Sequence, residues 1–206
     1  GYQPKFENIV WEDKDELLAD GTVDCLWSSY SMNGREDKYQ WAGPYLYSRQ
    51  MVVVKNESEI QTLSDLKGKR IAVQATTKAE DLFLHNIKSD LPQMQQVNCF
   101  STTNEIYAAL RKNYVDAIAG HEAMLGSLVK EGKDAYRMLD ESIYKSELGV
   151  AFKKGTHEEV AADLTETLKK LQREGITEKI VTEQVEIPYE TVTKNSAGTS
   201  TDTTNK

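Results

Sequence analysis

The chain has 206 residues, 39% of them hydrophobic and 28% charged, a composition that fits one large or two small globular domains. Its formal net charge of −8 argues against a nucleic-acid partner, which would require a basic face. No apolar run in the sequence approaches the roughly 20 residues that a membrane-spanning helix needs.

Strand-like and helix-like patterns alternate along the chain. In chain order we expect a strand at 6–11, a helix at 14–19, strands at 23–27 and 50–55, a helix at 62–67, a strand at 70–74, a helix at 78–89, a strand at 94–100, a helix ending at 112, a strand at 115–120, a helix at 122–131, strands at 137–139 and 148–153, and two final helices, the second at 176–185. Such alternation predicts an α/β fold with a mostly parallel sheet covered by helices.

Three Thr-x-x-Glu capping boxes predict helix starts, at Thr77, Thr102 and Thr156. The segment 189–206 is rich in Thr, Ser, Asn, Asp and Lys. It has too little apolar area to offset its ordering entropy, so we expect a disordered tail there.

Cysteine and histidine spacing gives no indication of a metal centre. Cys25 and Cys99 lie in apolar runs far apart in sequence, which favours two free thiols over a disulfide. The chain has no Cys-x-x-Cys motif, and His85, His121 and His157 are scattered. We expect neither a metal nor a cofactor.

The segment 28–45 directly follows a predicted buried strand. It brings serine hydroxyls, a glycine, Arg35 and several aromatic residues to the place where that strand ends. Ligands of open α/β sheets bind at the carboxyl ends of strands. A guanidinium in this setting suits a bidentate grip on a carboxylate. The alternative is a surface ion pair with Glu36 or Asp37.

A short internal echo indicates two similar halves. Segments 17–26 and 109–118 both contain a helix end, a turn and a Val-Asp-x-aliphatic strand. One echo is a weak repeat signal, but it suggests two lobes built on one plan.

Five segments, in the expected order, resemble landmarks of the extracellular solute-binding proteins of family 3, the receptors of polar-amino-acid ABC transporters. They are 23–35, 41–45 (Trp-Ala-Gly-Pro-Tyr), 63–77, 114–120 and 148–154. The resemblance implies a two-lobed, type II periplasmic-binding-protein-like fold with two hinge strands. Lobe one would hold 1–52 and 153–188, lobe two 53–152, and the chain would cross between the lobes at 52–55 and 148–152.

The chain departs from the family pattern in three places. Lobe one lacks the usual first strand–helix unit, which either lies outside this sequence or comes from another chain; its loss would expose apolar sheet surface. The loop that holds Arg35 is one residue shorter than usual. The family's acid that accepts the ligand's ammonium falls on His121, so either Glu122 takes that role or the ligand lacks a standard α-amino group.

Arg35 is the main candidate ligand-binding residue, because the resemblance implies that it grips the ligand's carboxylate. The other candidates are Ser29, Ser31, Thr76, Thr77, Trp11, Tyr30, His121 and Glu122. Each has a structural alternative: turn capping for the serines, helix N-capping for the threonines, His121 and Glu122, and packing for the aromatic residues. Tyr45 and Tyr47 either line the cleft or form an aromatic belt near the hinge, and we assign Trp27 to packing.

The implied function is a non-enzymatic one. The chain would be the substrate-binding component of an ABC transporter, capturing an amino acid or related zwitterion by lobe closure and delivering it to a membrane permease. It would act outside the cell, in the periplasm or anchored to the cell surface, and as a monomer unless another chain completes lobe one. Two alternatives are a sensory ectodomain of a receptor kinase or cyclase, and a dehydratase with His121 and Glu122 as its acid–base groups.

Overall fold

A computed structural model describes residues 2–85, 90–132, 134–185 and 189–194. The strands are β1 (Cys25–Ser31), β2 (Tyr39–Lys55), β3 (Arg70–Gln74), β4 (Gln96–Phe100), β5 (Ala117–His121), β6 (Tyr136–Met138) and β7 (Tyr144–Lys153). The α-helices are α1 (Lys14–Asp20), α2 (Lys78–Leu84), α3 (Thr103–Arg111), α4 (Glu122–Glu131), α5 (Glu158–Arg173) and α6 (Ile176–Ile180). Short 3₁₀ turns occupy Trp11–Asp13, Leu63–Leu66 and Tyr189–Val192.

The strands form one mixed sheet in the order β1-β7-β2-β5-β3-β4, with β6 added to β2. The α/β prediction agrees with this, but the expectation of mostly parallel pairing is wrong. Among the described strands, only two pairs are parallel, β3 with β4 and β3 with β5. The other four pairs are antiparallel. They are β1 with β7, β2 with β7, β2 with β5 and β2 with β6.

The sheet has an antiparallel part (β1, β7 and the start of β2) and a parallel part (β3, β4 and β5). Strand β2 joins them: residues 39–50 pair with β7, and residues 50–53 pair with β5. Residues 148–152 of β7 pair with β1. Gln50 pairs with Tyr144 at the start of β7. The expected crossings at 52–55 and 148–152 and the boundaries of the two lobes stay predictions.

The parallel part contains the larger core. Ile71, Ala72 and Val73 of β3 are fully buried, as expected for a strand covered on both faces. One face packs against α2 and the other against α3 and α4. The antiparallel part has smaller clusters, one around Leu18 and Leu26 and one under α5.

Strand β1 is an edge strand with exposed apolar side chains. The predicted strand 6–11 does not form, and Phe6 is 88% exposed. A strand needs a neighbour for its backbone hydrogen bonds, and no described strand pairs with 6–11. The assignment of Trp27 to packing is also wrong: it is 54% exposed and its ring contacts that of Tyr45 at 6.2 Å. Apolar surface is therefore exposed in the part of the fold where the sequence predicts it.

Only one of the three predicted capping boxes forms. The box at Thr102 is complete, with its hydroxyl accepting from the N–H of Glu105. In front of α5 the N-cap is His157, in the left-handed region with φ 56°. The hydroxyl of Thr156 instead donates to the carbonyl of Lys153 at 2.7 Å, so the preceding turn takes the group that would cap the helix.

The C-terminal segment is ordered further than predicted. A 3₁₀ turn forms at Tyr189–Val192, and Val192 is buried against β2. Burial of this apolar side chain explains why the predicted disordered tail does not begin at 189. Residues 195–206 of that tail, and residues 86–89 of the predicted helix 78–89, lie outside the described residues.

Two absences concern the described residues alone. None of their helices is both long enough and apolar enough to span a bilayer. Nor do these residues hold a group of three His, Cys, Asp or Glu side chains that could bind a metal ion. Cys25 and Cys99 are both free thiols.

Candidate functional site

A cleft of about 500 Å³ lies between the start of α1, the loop after β1 and the start of α2. Its lining residues are Glu12, Lys14, Asp15, Tyr30, Gly34, Arg35, Lys38, Thr76, Lys78, Glu80 and Asp81. Eight of these eleven residue types carry a charge at neutral pH, four of each sign. One wall comes from residues 12–38 and the other from 76–81, so the cleft lies between the two predicted lobes.

Arg35 points into this cleft. Its side chain is 13% exposed, and Nη2 donates to Oδ2 of Asp81 at 2.6 Å. Nη1 donates to the carbonyl of Ser31 at 3.4 Å, and the guanidinium lies 5.3 Å from the ring centre of Tyr30. The partner is therefore an acid from the opposite wall and not Glu36 or Asp37. A carboxylate that binds at Nη2 of Arg35 competes with Asp81 for that donor.

Four aromatic residues support the loop that holds Arg35. The rings of Trp11, Tyr30, Tyr39 and Trp41 pack with centres 5.0 to 5.5 Å apart. Tyr30 donates to the hydroxyl of Tyr39 at 2.8 Å, and Trp41 Nε1 donates to the carbonyl of Arg35 at 3.0 Å. Burial raises the pKa of both tyrosines, so both hydroxyls stay protonated at neutral pH. The cluster fixes the backbone that positions the guanidinium.

Two lysines of the cleft are buried. Lys14 is 3% exposed, and its ammonium donates to Oγ1 of Thr76 at 2.9 Å and to the carbonyl of Trp11 at 3.3 Å. Lys78 is 6% exposed and donates to the carbonyl of Asn33 at 3.2 Å. Burial lowers the pKa of both ammonium groups. Neither lysine was predicted as a site residue, although a cation at the first position of a helix, as Lys78 is in α2, is disfavoured by the helix dipole and so is unusual.

The predicted threonines lie at the start of α2, but their capping differs from the prediction. The N–H of Thr76, a residue in the left-handed region with φ 57°, donates to Glu80 at 2.7 Å. The hydroxyl of Thr77 donates to the carbonyl of Gln74 at 2.7 Å, so the predicted capping box is wrong here as well. Thr76 lines the cleft and accepts from Lys14, whereas Thr77 is not one of the lining residues.

The two predicted serines lie two positions apart in β1, but a register irregularity between Trp27 and Ser31 gives them different surroundings. Ser31 is buried beside Arg35, and its hydroxyl donates to Asn33 at 3.3 Å. Ser29 is exposed on the edge strand. Trp11, the predicted wall over the ligand, packs edge-on against Tyr30 behind the cleft lining.

His121 and Glu122 belong to a different environment. His121 lies 3.0 Å from the hydroxyl of Ser48 and 3.1 Å from the amide nitrogen of Gln50. Burial lowers the pKa of its imidazole to about 4, so the ring is neutral at pH 7. Glu122 forms a two-pronged ion pair with Arg49, with Nε to Oε2 at 2.9 Å. In the described part of the chain neither residue lines the cleft.

Comparison with known proteins identifies the family. The sequence model of the bacterial extracellular solute-binding proteins, family 3, matches residues 1–185. The chain belongs to this family. It is 26% identical to the L-cystine-binding protein TcyJ of Escherichia coli (strain K12) over 178 residues, 85% of this chain and 65% of that protein. It is also 26% identical to the glutamate-binding protein GluB of Corynebacterium efficiens, covering 90% of this chain and 64% of that protein. The chain thus spans about 65% of the length of these relatives.

Comparison with solved structures gives a similar fold. A substrate-binding protein of an amino acid ABC transporter superposes with a TM-score of 0.77 at 26% identity, covering 89% of this chain and 80% of that one. This likeness confirms the two-lobed α/β fold. The two relatives named above are a cystine-binding and a glutamate-binding protein.

Proposed function

We propose that the chain is the substrate-binding component of an ABC transporter and that it captures an amino acid or a related small zwitterion in the Arg35 cleft. The observation that most supports this is the cross-cleft pair of Arg35 with Asp81, which holds a guanidinium ready for a carboxylate. Two of the relatives are named for amino-acid ligands, cystine and glutamate. The chain would bind its ligand without transforming it.

Ligand binding would proceed by exchange of carboxylates. The ligand's carboxylate takes the place of Asp81 on Arg35, and Asp81 becomes available to the ligand's ammonium. Such charge-assisted bonds are roughly twice as strong as neutral ones. A zwitterionic ligand adds no net charge to the cleft. Its carboxylate pairs with Arg35, and its ammonium pairs with Asp81.

Lobe closure would complete the site. Three further hydrogen bonds cross the cleft, from Lys14 to Thr76, from Lys78 to Asn33 and from Ser101 to Glu12. A ligand that contacts both walls binds the closed state better than the open one and shifts the equilibrium by that difference. The closed protein would then deliver its ligand to a membrane permease from the periplasm or the cell surface. We propose that it does so as a monomer.

The test has two stages. A thermal-shift screen against the twenty amino acids and common derivatives identifies ligands, and calorimetry then compares the unmodified protein with Arg35→Ala. We expect Arg35→Ala to weaken binding by about 100-fold or more, since two hydrogen bonds to a charged group are lost. Arg173→Ala, at an exposed arginine of α5, should bind normally. Unaltered affinity of Arg35→Ala would remove Arg35 from the site, and a screen without any binder would refute the proposal.

A further inference from the structure

We infer that the ligand has a second anionic group beside its α-carboxylate, as in an acidic amino acid. This inference rests on the proposed function, because it concerns the ligand of the same cleft. It depends on Lys14 and Lys78, two cations that reach the cleft from opposite walls and are almost completely buried.

The first step concerns the hydrogen bonds of these lysines. An ammonium group has three donors. Lys14 uses two of them, on the neutral oxygens of Thr76 and Trp11, and Lys78 uses one, on the carbonyl of Asn33. Taking an ammonium out of water costs several kcal/mol unless an opposite charge lies nearby. Neutral acceptors offset only a part of that cost.

The second step is an account of the charges in the cleft. Each of the four carboxylates of the lining has a donor of its own: Asp81 accepts from Arg35, Asp15 from Lys38, Glu80 from the N–H of Thr76 and Glu12 from Ser101. Of the four cations, Arg35 and Lys38 form ion pairs with Asp81 and Asp15. Within the described residues, no carboxylate lies within 4.0 Å of the ammonium of Lys14 or Lys78. Lys14 and Lys78 are therefore the two cations of the lining without a carboxylate in direct contact, although Asp15 and Glu80 act on Lys14, and Asp81 and Glu36 on Lys78, from farther away.

The third step is their position relative to Arg35. Arg35 acts electrostatically on both lysines and adds to the effect of burial in lowering their pKa values. The three cations therefore share one site. The ligand's α-carboxylate would satisfy Arg35 alone. A second anionic group beside it would contact the two lysines directly, whereas a neutral or cationic side chain would leave them buried without a carboxylate in direct contact.

A structural role explains these lysines less well. A lysine that served only to hold the two walls together would be replaceable by a neutral donor, without the cost of burying a charge. Lys78 also occupies the first position of its helix, where the dipole disfavours a cation. An anion that binds in the cleft would offset both unfavourable effects, the burial of the charges and the helix dipole.

The experiment compares matched ligands by calorimetry on the unmodified protein: glutamate with glutamine, aspartate with asparagine, and phosphoserine with serine. We expect the acidic member of at least one pair to bind ten or more times as tightly as its neutral partner. Lys14→Met and Lys78→Met keep most of the side-chain volume and remove the charge. Each should weaken the acidic ligand at least tenfold more than its neutral partner, because both ligands lose the hydrogen bond across the cleft but only the acidic one loses a charge partner. Lys169→Met, at an exposed lysine of α5 paired with Glu166, should change neither.

The outcomes separate this inference from the proposed function. Neutral members that bind as tightly as the acidic ones, or more tightly, would overturn the acidic ligand and leave amino-acid binding intact. Lysine variants that weaken both members equally would show that the lysines only join the walls, and would also overturn it. Because the matched ligands are compared on the unmodified protein, a variant that fails to fold leaves that test in place. If no amino acid binds at all, the proposed function falls and this inference falls with it.

Discussion

Asp81 has the place on Arg35 that a ligand carboxylate would take. Its Oδ2 accepts from Nη2 at 2.6 Å, a distance typical of charge-assisted hydrogen bonds. The stacked ring of Tyr30 and the bond from Trp41 to the Arg35 carbonyl hold the guanidinium on one side of the cleft. Arg35 therefore keeps its orientation whether its partner is an internal acid or a bound one, and little side-chain entropy is lost when the two exchange.

His121 gives a prediction on pH. Burial lowers the pKa of its imidazole to about 4 from an ordinary value of 6.5. Between these values the unfolded chain binds more protons than the folded one, so the free energy of unfolding falls as the pH falls from 6.5 to 4. This group alone should cost about 2 kcal/mol by pH 5. His121→Gln should remove that part of the pH dependence in urea unfolding measured between pH 4.5 and 8.

The matched control is His157→Gln, at a histidine with an exposed side chain. It should keep the pH slope of the unmodified protein. If His121→Gln also keeps that slope, the imidazole is not responsible for it.

At this scale the sequence predicts three of the eleven residues that line the cleft. Arg35, Tyr30 and Thr76 line the cleft, and each follows from a strand end or a helix start that can be recognised locally. Lys14, Lys78 and Asp81 were missed. These side chains are buried because segments near residues 14, 35 and 78 meet at one cleft. A local sequence pattern cannot predict that three distant segments come together.

Strand β1 shows how an element depends on its neighbours. It pairs with β7 along one edge, and no described strand pairs with the other. Its side chains alternate only at the start of the strand, with Leu26 3% exposed and Trp27 pointing to solvent. An unpaired edge with an exposed tryptophan favours association with other strands.

Two substitutions test this alternation. Trp27→Lys should change the free energy of unfolding by about 0.5 kcal/mol or less, because surface changes are usually small, and it should reduce light scattering at high protein concentration. Leu26→Ala, one residue away on the opposite face, should cost about 2 to 5 kcal/mol because it leaves a cavity in the core. Urea unfolding measures both. A large loss of stability in Trp27→Lys would mean that this side chain packs in solution.

The predicted elements agree with the structure where a pattern is local. Strand β3 and helix α4 have the predicted bounds, because a short apolar run between turns and an amphipathic run are both visible in the sequence. Strand β2 runs over 17 residues, but only 50–55 were predicted. Its first part mixes aromatic and polar residues, and the pairing with β7 makes it a strand. The opposite error at 6–11 has the same cause, since a strand-like pattern without a partner stays irregular.

On the scale of the whole molecule, the strands connect the two parts of the sheet, and separate polar contacts join the walls of the cleft. Strands β2 and β7 connect the two parts of the sheet near Gln50, where β2 changes partner. A buried polar cluster of Ser48, Gln50, His121 and Ser146 lies at this point, and the Oε1 atom of Gln50 is buried without a partner. Away from this connection, the cleft walls meet through polar contacts led by the Arg35–Asp81 pair. Polar contacts exchange readily with water, so they suit an interface that opens and closes.

The last prediction concerns this opening. Asp81→Asn removes the ion pair across the cleft, and loss of a partly buried pair should shift the equilibrium between closed and open forms by about tenfold or more toward the open form. Small-angle X-ray scattering of the ligand-free protein should then give a larger radius of gyration for Asp81→Asn than for the unmodified chain. Asp163→Asn, at an exposed aspartate of α5, should scatter like the unmodified chain.

A saturating ligand should return Asp81→Asn to the compact form, because Arg35 then receives a carboxylate from the ligand. Identical ligand-free scattering for Asp81→Asn and the unmodified protein would contradict the idea that this acid holds the cleft shut. If Asp81→Asn is expanded but stays so with ligand bound, the cleft closes through Asp81 itself. The proposed exchange of carboxylates on Arg35 would then be wrong.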